Sequence, residues 1–143
     1  MSLSDLFADA APALGLSRPA GLCLAAIWRA DPPPCADDLC AALGLARSNV
    51  SVALRDLREW GLVETVRQPG DRKEYFTAPA DAGELVARLL AGHRRRIVAP
   101  LLDRLSALGA SDPRAADLSS AALRPAADTA AGKKKKKKRR DHG

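Results

Sequence analysis

Apolar residues recur with the 3.6-residue period of α-helices along most of the chain, and only one stretch follows a different pattern. That stretch, residues 62–78, has two β-rich runs separated by Pro69-Gly70, a pair suited to the middle of a type II turn. Gly44 allows a sharp turn between two of the predicted helices, as a helix-turn-helix requires. Helices are predicted at about 3–14, 18–30, 36–43, 47–60 and 81–108, the last as one long helix or a kinked pair. The expected fold is therefore mainly α, a winged helix-turn-helix of order α-α-α-α-β-β-α with a long C-terminal helix and a disordered basic tail.

The helix predicted at 47–60 has one apolar side and one side of short polar residues and arginine. Its apolar positions are Val50, Ala53, Leu54, Leu57 and Trp60. The opposite side carries Ser48, Ser51, Val52 and Arg55, with Arg47 and Asn49 beside them near the helix start. Short hydrogen-bonding side chains can approach base edges closely, while arginine matches guanine and asparagine matches adenine. This pattern predicts a recognition helix that enters the major groove of DNA.

The hairpin tip beside that helix is cationic, because Arg72 and Lys73 follow directly after the turn. A basic tip next to a recognition helix can place arginine in the adjacent minor groove, where negative potential is concentrated. The alternative is a solvated turn without a ligand. Beside the recognition helix, we favour the interpretation of a DNA-binding wing.

The net charge of +6 comes from the C-terminus and not from the predicted domain. Residues 133–143 hold eight of the 23 basic and one of the 17 acidic residues, so residues 1–132 carry 15 basic against 16 acidic groups. A cationic tail adds sequence-independent affinity for DNA by releasing counterions. The alternative is a solubilising terminus. The predicted nonspecific DNA tail is Lys133, Lys134, Lys135, Lys136, Lys137, Lys138, Arg139 and Arg140.

Four segments follow from these patterns. Residues 1–16 form an N-terminal helix that docks on the core or on a second subunit, and residues 17–80 form the DNA-binding domain. Residues 81–109 keep an apolar stripe too long for so small a core to cover, so they are predicted to form a dimerisation helix. Residues 110–143 are small-residue rich and then basic, which predicts a disordered linker and tail.

Enzyme, metal and membrane functions have no support in the sequence. The two histidines and three cysteines match no metal or nucleophile motif, and no glycine-rich phosphate loop occurs. No apolar run approaches the roughly 18 to 20 residues that cross a bilayer, and the N-terminus lacks a secretion signal. We therefore expect a cytoplasmic, nucleoid-associated protein that is not an enzyme and has no cofactor.

Residues 15–78 resemble the MarR superfamily of bacterial regulators, and specifically its GbsR-like branch. The stretches that carry the resemblance are GLSRPAG at 15–21, ADDLCAALGLARSNVSVALRDLREWGLV at 36–63 and VRQPGDRKEYF at 66–76. The resemblance implies a dimeric transcriptional regulator, commonly a repressor. It implies DNA contacts by Ser48, Asn49, Ser51, Arg55 and Arg72. The chain departs from the family at Ala46, where such motifs usually carry a serine or threonine cap.

The leading hypothesis is a repressor that binds a near-palindromic operator in double-stranded DNA as a homodimer. An architectural, nucleoid-type protein dominated by its lysine tail is the first alternative, and a winged-helix protein-interaction module is the second. A small-molecule effector is left open. Choline would need an aromatic cage, and most of the five aromatic residues are expected in the core and hairpin.

Overall fold

The computed structural model describes residues 1–123, and the chain divides into one unit of residues 1–97 and a second that begins at Val98. The predicted order α-α-α-α-β-β-α is confirmed in the first unit. The elements are α1 (Leu3–Leu14), α2 (Arg18–Arg29), α3 (Ala36–Leu43), α4 (Arg47–Glu59), β1 (Glu64–Arg67), β2 (Glu74–Thr77), α5 (Ala82–His93), a π-helical turn (Arg94–Val98), α6 (Ala99–Leu108) and α7 (Pro113–Ala122).

The core of the first unit lies under the apolar side of α4, as the periodicity predicts. All five predicted inward positions are buried, and Val50, Ala53 and Leu57 have no exposed surface. They pack with the buried side chains of α2, among them Cys23 and Leu24. Because the apolar side of α4 is fixed in this way, its polar side is held outward.

The start of α4 has no side-chain cap, which confirms the departure seen at Ala46. Ala46 has the extended backbone of an N-cap residue, but its methyl group cannot accept a hydrogen bond from the first turn. A missing cap costs about 1 kcal/mol of stability. The helix nevertheless forms, because its buried side supplies far more stabilisation than one cap.

The hairpin pairs β1 and β2 in antiparallel register, with Val66 opposite Tyr75 and Thr65 opposite Phe76. The predicted type II turn is confirmed, because Asp71 N–H donates to Gln68 C=O at 3.1 Å and Gly70 has φ 81°. The sequence predicts that either Tyr75 or Phe76 packs on the helices, and Phe76 is the buried one.

The sequence also predicts Val66 as an inward contact of the hairpin, and this is wrong, since its side chain is 41 % exposed. Directly opposed residues share one face of a hairpin, and successive residues alternate between faces. With Phe76 turned towards the helices, Val66 must therefore point to the other face, together with its partner Tyr75.

A short backbone connection joins strand β2 to the residues directly ahead of α3. Phe76 N–H donates to Pro34 C=O at 2.9 Å, and Cys35 forms an antiparallel bridge with Tyr75. The sequence does not indicate this connection, because Pro34 is the last of three consecutive prolines, and proline is disfavoured in strands. It fixes β2 to the first helix of the helix-turn-helix.

Helices α1 and α2 approach closely at Gly21. A Cβ atom at this position would lie 2.4 Å from the Phe7 carbonyl oxygen and 2.9 Å from the Ala11 Cβ. Ala8 and Ala11 are the buried residues of α1, and their small side chains permit this approach. The packing thus depends on small residues on both helices.

Replacing Gly21 by alanine is expected to lower the free energy of unfolding by about 1 to 3 kcal/mol, because the added methyl group meets backbone atoms that cannot move away cheaply. Alanine is the better helix former by about 1 kcal/mol, so the sign of the result separates packing from propensity. The matched control is Gly83→Ala in α5, where the close atom is a side-chain oxygen of Asp81 at 3.2 Å. Chemical denaturation should find the Gly83 variant unchanged or stabilised; a stabilised Gly21 variant would contradict this packing.

The predicted C-terminal helix is interrupted, and the chain beyond it is more ordered than predicted. The π-helical turn at Arg94–Val98 separates α5 from α6, and Pro100 lies in the first turn of α6, where proline is tolerated. The prediction of disorder from residue 110 is wrong for 113–122, which form α7. Asp112 caps that helix by accepting backbone N–H groups of its first turn. The predicted DNA tail at 133–140 lies outside the described residues.

No helix within residues 1–123 combines the length and apolar character that a membrane span requires.

Candidate nucleic-acid interface

The polar side of α4 is exposed along its length. All six side chains predicted to contact DNA from this helix are solvent-accessible, and Val52, the apolar member, is 45 % exposed. Their accessibility follows from the buried opposite side, because the two sets alternate on the same helical period. The set is Arg47, Ser48, Asn49, Ser51, Val52 and Arg55.

Arginines of α5 and the π-helical turn bind the C-terminal end of α4 and the residue that follows it closely, Gly61. Arg88 donates to Gly61 C=O at 3.1 Å, and Arg95 donates to Glu59 C=O at 3.3 Å. Arg96 binds the Glu59 carboxylate. Cations here satisfy the carbonyl groups that a helix leaves unpaired at its C-terminus. No local pattern places these arginines at α4, since their partners are distant along the chain.

A groove of about 730 Å³ lies between α4 and the hairpin. It brings together five of the eight folded-domain residues predicted to bind DNA: Arg47, Ser51, Arg55, Arg72 and Lys73. Ser48, Asn49 and Val52 do not line it and lie on the exposed surface of α4 beyond it. The helix and the hairpin tip therefore line one groove, in which five cationic side chains meet three carboxylates.

Several cations of this groove are paired with carboxylates inside the protein. Arg47 pairs with Asp37 of α3, and Arg58 lies 4.0 Å from Glu74, which also pairs with Arg67 at 2.8 Å. These side chains are largely exposed, and exposed ion pairs contribute about 0 to 1 kcal/mol. Such pairs can be exchanged for phosphate contacts at little cost. Asp37, Arg58 and Glu74 were not predicted as site residues; their only sign in the sequence is their charge beside the motif.

Arg72 and Lys73 are different, because within residues 1–123 no carboxylate lies within 4.0 Å of their charged groups. Both side chains are exposed at the hairpin tip. An unpaired cation binds an anion without first giving up another partner, so these two residues offer the most available positive charge in the groove.

Hydrogen bonds at the hairpin tip shift two pKa values. The Tyr75 hydroxyl donates to Asp71 Oδ2 at 2.5 Å, and this bond holds the pKa of Asp71 below its ordinary value of 3.8. The Lys73 N–H, bound to Asp71 Oδ1 at 2.9 Å, lowers the same pKa further. The carboxylate in turn raises the pKa of Tyr75 to about 12. The charge-assisted form of this bond, with Tyr75 neutral and Asp71 ionised, therefore persists between the lowered pKa of Asp71 and the raised pKa of Tyr75.

A sequence profile of the MarR family matches residues 14–74, which contain α2, α3, α4, β1 and the start of β2. Residues 14–74 are therefore similar to the MarR family. The match covers less than half of the 143 residues. MarR-family proteins are transcriptional regulators that bind DNA, and we assign this general function to the domain. No curated protein sequence matches the chain.

Solved structures of transcriptional regulators are similar to this chain to different degrees. The crystal structure of a transcriptional regulator matches with a TM-score of 0.66 at 24 % identity, over 84 % of this chain and 82 % of the other. A MarR-family regulator from Rhodococcus sp. RHA1 has a TM-score of 0.46 and 21 % identity, over 74 % and 83 %. CouR from Rhodococcus jostii RHA1, bound to p-coumaroyl-CoA, has a TM-score of 0.46 and 20 % identity, over 86 % and 85 %. At 24 % identity, the likeness to the first of these structures shows a shared fold alone.

Proposed function

We propose that the protein is a homodimeric repressor of the GbsR-like branch that binds a near-palindromic operator. Each α4 enters a major groove, and the two helices lie about 34 to 36 Å apart, one helical turn of DNA. The observation that carries this proposal is the groove where five predicted contact residues from α4 and the hairpin meet. A bound dimer represses transcription by occupying DNA that the polymerase needs.

The side chains of α4 divide by chemistry into those that identify bases and those that hold the backbone. Arg55 is long enough to donate two hydrogen bonds to guanine, and Asn49 matches adenine. Val52 offers a methyl surface to thymine, while Ser48 and Ser51 permit a close approach to either bases or phosphates. Arg47, at the helix start, binds phosphate after leaving Asp37.

The hairpin acts as the wing. Arg72 and Lys73 stand at its tip without carboxylate partners in the described residues, and the tip shares one groove with α4. When α4 occupies the major groove, a cation at the hairpin tip beside it reaches the neighbouring minor groove or its phosphates. The narrow minor groove of A·T-rich DNA attracts arginine most strongly, so the outer positions of each half-site are expected to be A·T-rich.

Dimer formation is assigned to the segments outside the central domain, residues 1–16 and 81–109. The support within the first unit is exposed apolar surface: Leu6 of α1 is 51 % exposed, and Val86 and Leu90 of α5 are 52 % and 58 % exposed. Val86 and Leu90 are four residues apart, so they share one side of α5. A second copy of the chain would remove these side chains from water.

The proposal is tested by competition between a candidate promoter fragment and bulk DNA at moderate salt, with the full chain and with a variant lacking residues 133–140. The deletion should weaken binding to both DNAs alike and flatten the salt dependence, because it removes only counterion release. Preference for the promoter should remain. Loss of that preference would favour the architectural alternative. Absence of all DNA binding by the variant would favour the protein-interaction module.

A further inference from the structure

Tyr75 occupies the junction between the hairpin tip and the helix-turn-helix. Its backbone forms the antiparallel bridge with Cys35, the residue directly ahead of α3. The backbone N–H of the next residue, Phe76, donates a hydrogen bond to Pro34 C=O. The Tyr75 hydroxyl reaches back along the strand to Asp71, four residues earlier. One residue thus contacts both the body of the domain and the turn that bears the cations.

Asp71 uses both carboxylate oxygens within the turn. Oδ2 accepts from the Tyr75 hydroxyl at 2.5 Å, and Oδ1 accepts from the Lys73 backbone N–H at 2.9 Å. Arg72 therefore lies between Asp71 and Lys73, and the Asp71 side chain holds both of these residues in place. Its own side chain is exposed and has no carboxylate partner in the described residues, so nothing else there directs it.

We propose that Tyr75 is a positioning residue for DNA binding: through Asp71 it holds the backbone of residues 71–73 against the start of α3, and so presents Arg72 to the DNA in one orientation beside α4. The inference rests on the proposed function, because it assigns Arg72 to DNA. A tip that is ordered before binding loses less conformational freedom on binding. The hydroxyl contributes to affinity without touching the DNA.

A double-mutant cycle of Tyr75→Phe and Arg72→Ala on the full chain tests this coupling. Tyr75→Phe keeps the ring and removes only the hydroxyl, and it should weaken binding to the preferred DNA by roughly 3- to 10-fold. If Tyr75 acts through Arg72, the same substitution in the Arg72→Ala background should change affinity by less than about 2-fold. Equal losses in both backgrounds would overturn the proposal, as would an unchanged affinity of Tyr75→Phe alone.

The matched control is Thr77→Val, which removes a hydroxyl from the same strand without involving Asp71. It should leave affinity within about 2-fold of the parent. A loss like that of Tyr75→Phe would mean that the hairpin tolerates no change and would overturn a specific role for Tyr75.

If Arg72→Ala has no effect on DNA binding while Arg55→Ala does, this inference fails and the assignment of α4 stands. If neither affects DNA binding, the proposed function itself fails.

An optical titration reports directly on the hydrogen bond, because Tyr75 is the only tyrosine of the chain. The absorbance of tyrosinate should appear with a pKa of about 12 in the folded protein. In Asp71→Asn it should move towards the ordinary value of 10.0, because the charged acceptor is gone. A pKa near 10.0 in the unmodified protein would mean that the bond to Asp71 is absent in solution, and the proposal would fall.

Discussion

Replacing Leu57 by alanine is expected to lower the free energy of unfolding by about 2 to 5 kcal/mol. Leu57 has no exposed surface and lies where the inner side of α4 meets the core. Truncation removes its transfer free energy and leaves a cavity that the surrounding helices cannot fill completely. A loss of this size is a large part of the stability of a small domain, so the variant should unfold at markedly lower denaturant concentration.

Val52→Ala is the control for this experiment, because Val52 is on the same helix but on its exposed side. Its free energy of unfolding should stay within about 0.5 kcal/mol of the parent. Val52→Ala should affect DNA binding although it leaves stability unchanged. Val52 belongs to the proposed contact surface, and its loss should reduce selectivity for thymine. Strong destabilisation by Val52→Ala, or none by Leu57→Ala, would show that the two sides of α4 are wrongly assigned.

Replacing Arg55 by alanine is expected to cost about 1 to 3 kcal/mol of binding free energy on the preferred DNA. Arg55 is exposed on the outer side of α4 and lines the groove; its nearest carboxylate, on Asp56, is 3.9 Å away. The loss should be concentrated at one base pair of each half-site, because a bidentate arginine discriminates guanine from other bases. Titration of a set of single-base variants of the site measures this directly.

The matched control is Arg18→Ala, which removes the same charge from α2. Arg18 pairs with Asp9 at 2.6 Å and does not line the groove. This substitution should change affinity little and leave base preference intact. Arg55→Ala should instead flatten the preference at its own position. An equal loss on preferred and random DNA would mean that Arg55 contacts phosphate and does not identify a base.

The parts of the fold that the sequence predicts well are those with a strong local cause. The two sides of α4 follow from helical period alone, and the turn follows from the conformations that Pro69 and Gly70 prefer. Val66 could not be placed in this way, because Tyr75 and Phe76 give β2 an aromatic residue on each face, and the sequence does not reveal which face meets the helices.

Contacts between distant segments left little trace in the sequence. The bond from Phe76 to Pro34 and the arginine contacts to the end of α4 join residues far apart along the chain. Nothing in local composition specifies such partners. Helix α7 is not predicted for a different reason: its small residues bury only Ala115 and Ser119, so the composition of this segment indicates disorder.

The candidate site was predictable as a set of residues but not as an arrangement. Exposed polar positions on α4 identify the contact helix, and the basic turn identifies the wing. The meeting of the two in one groove, the pairing of Arg47 with Asp37 and the link from Tyr75 to Asp71 depend on packing. Only the folded chain distinguishes paired from available cations.

The most direct test of the claim that the outer side of α4 identifies a DNA sequence is selection of bound DNA from a random pool, using the full chain, the variant lacking residues 133–140 and Arg55→Ala. The account predicts a half-site repeated once per helical turn, kept when the tail is removed and degraded at one position by Arg55→Ala. A pool that stays random, or that is enriched equally by the parent and Arg55→Ala, would contradict it.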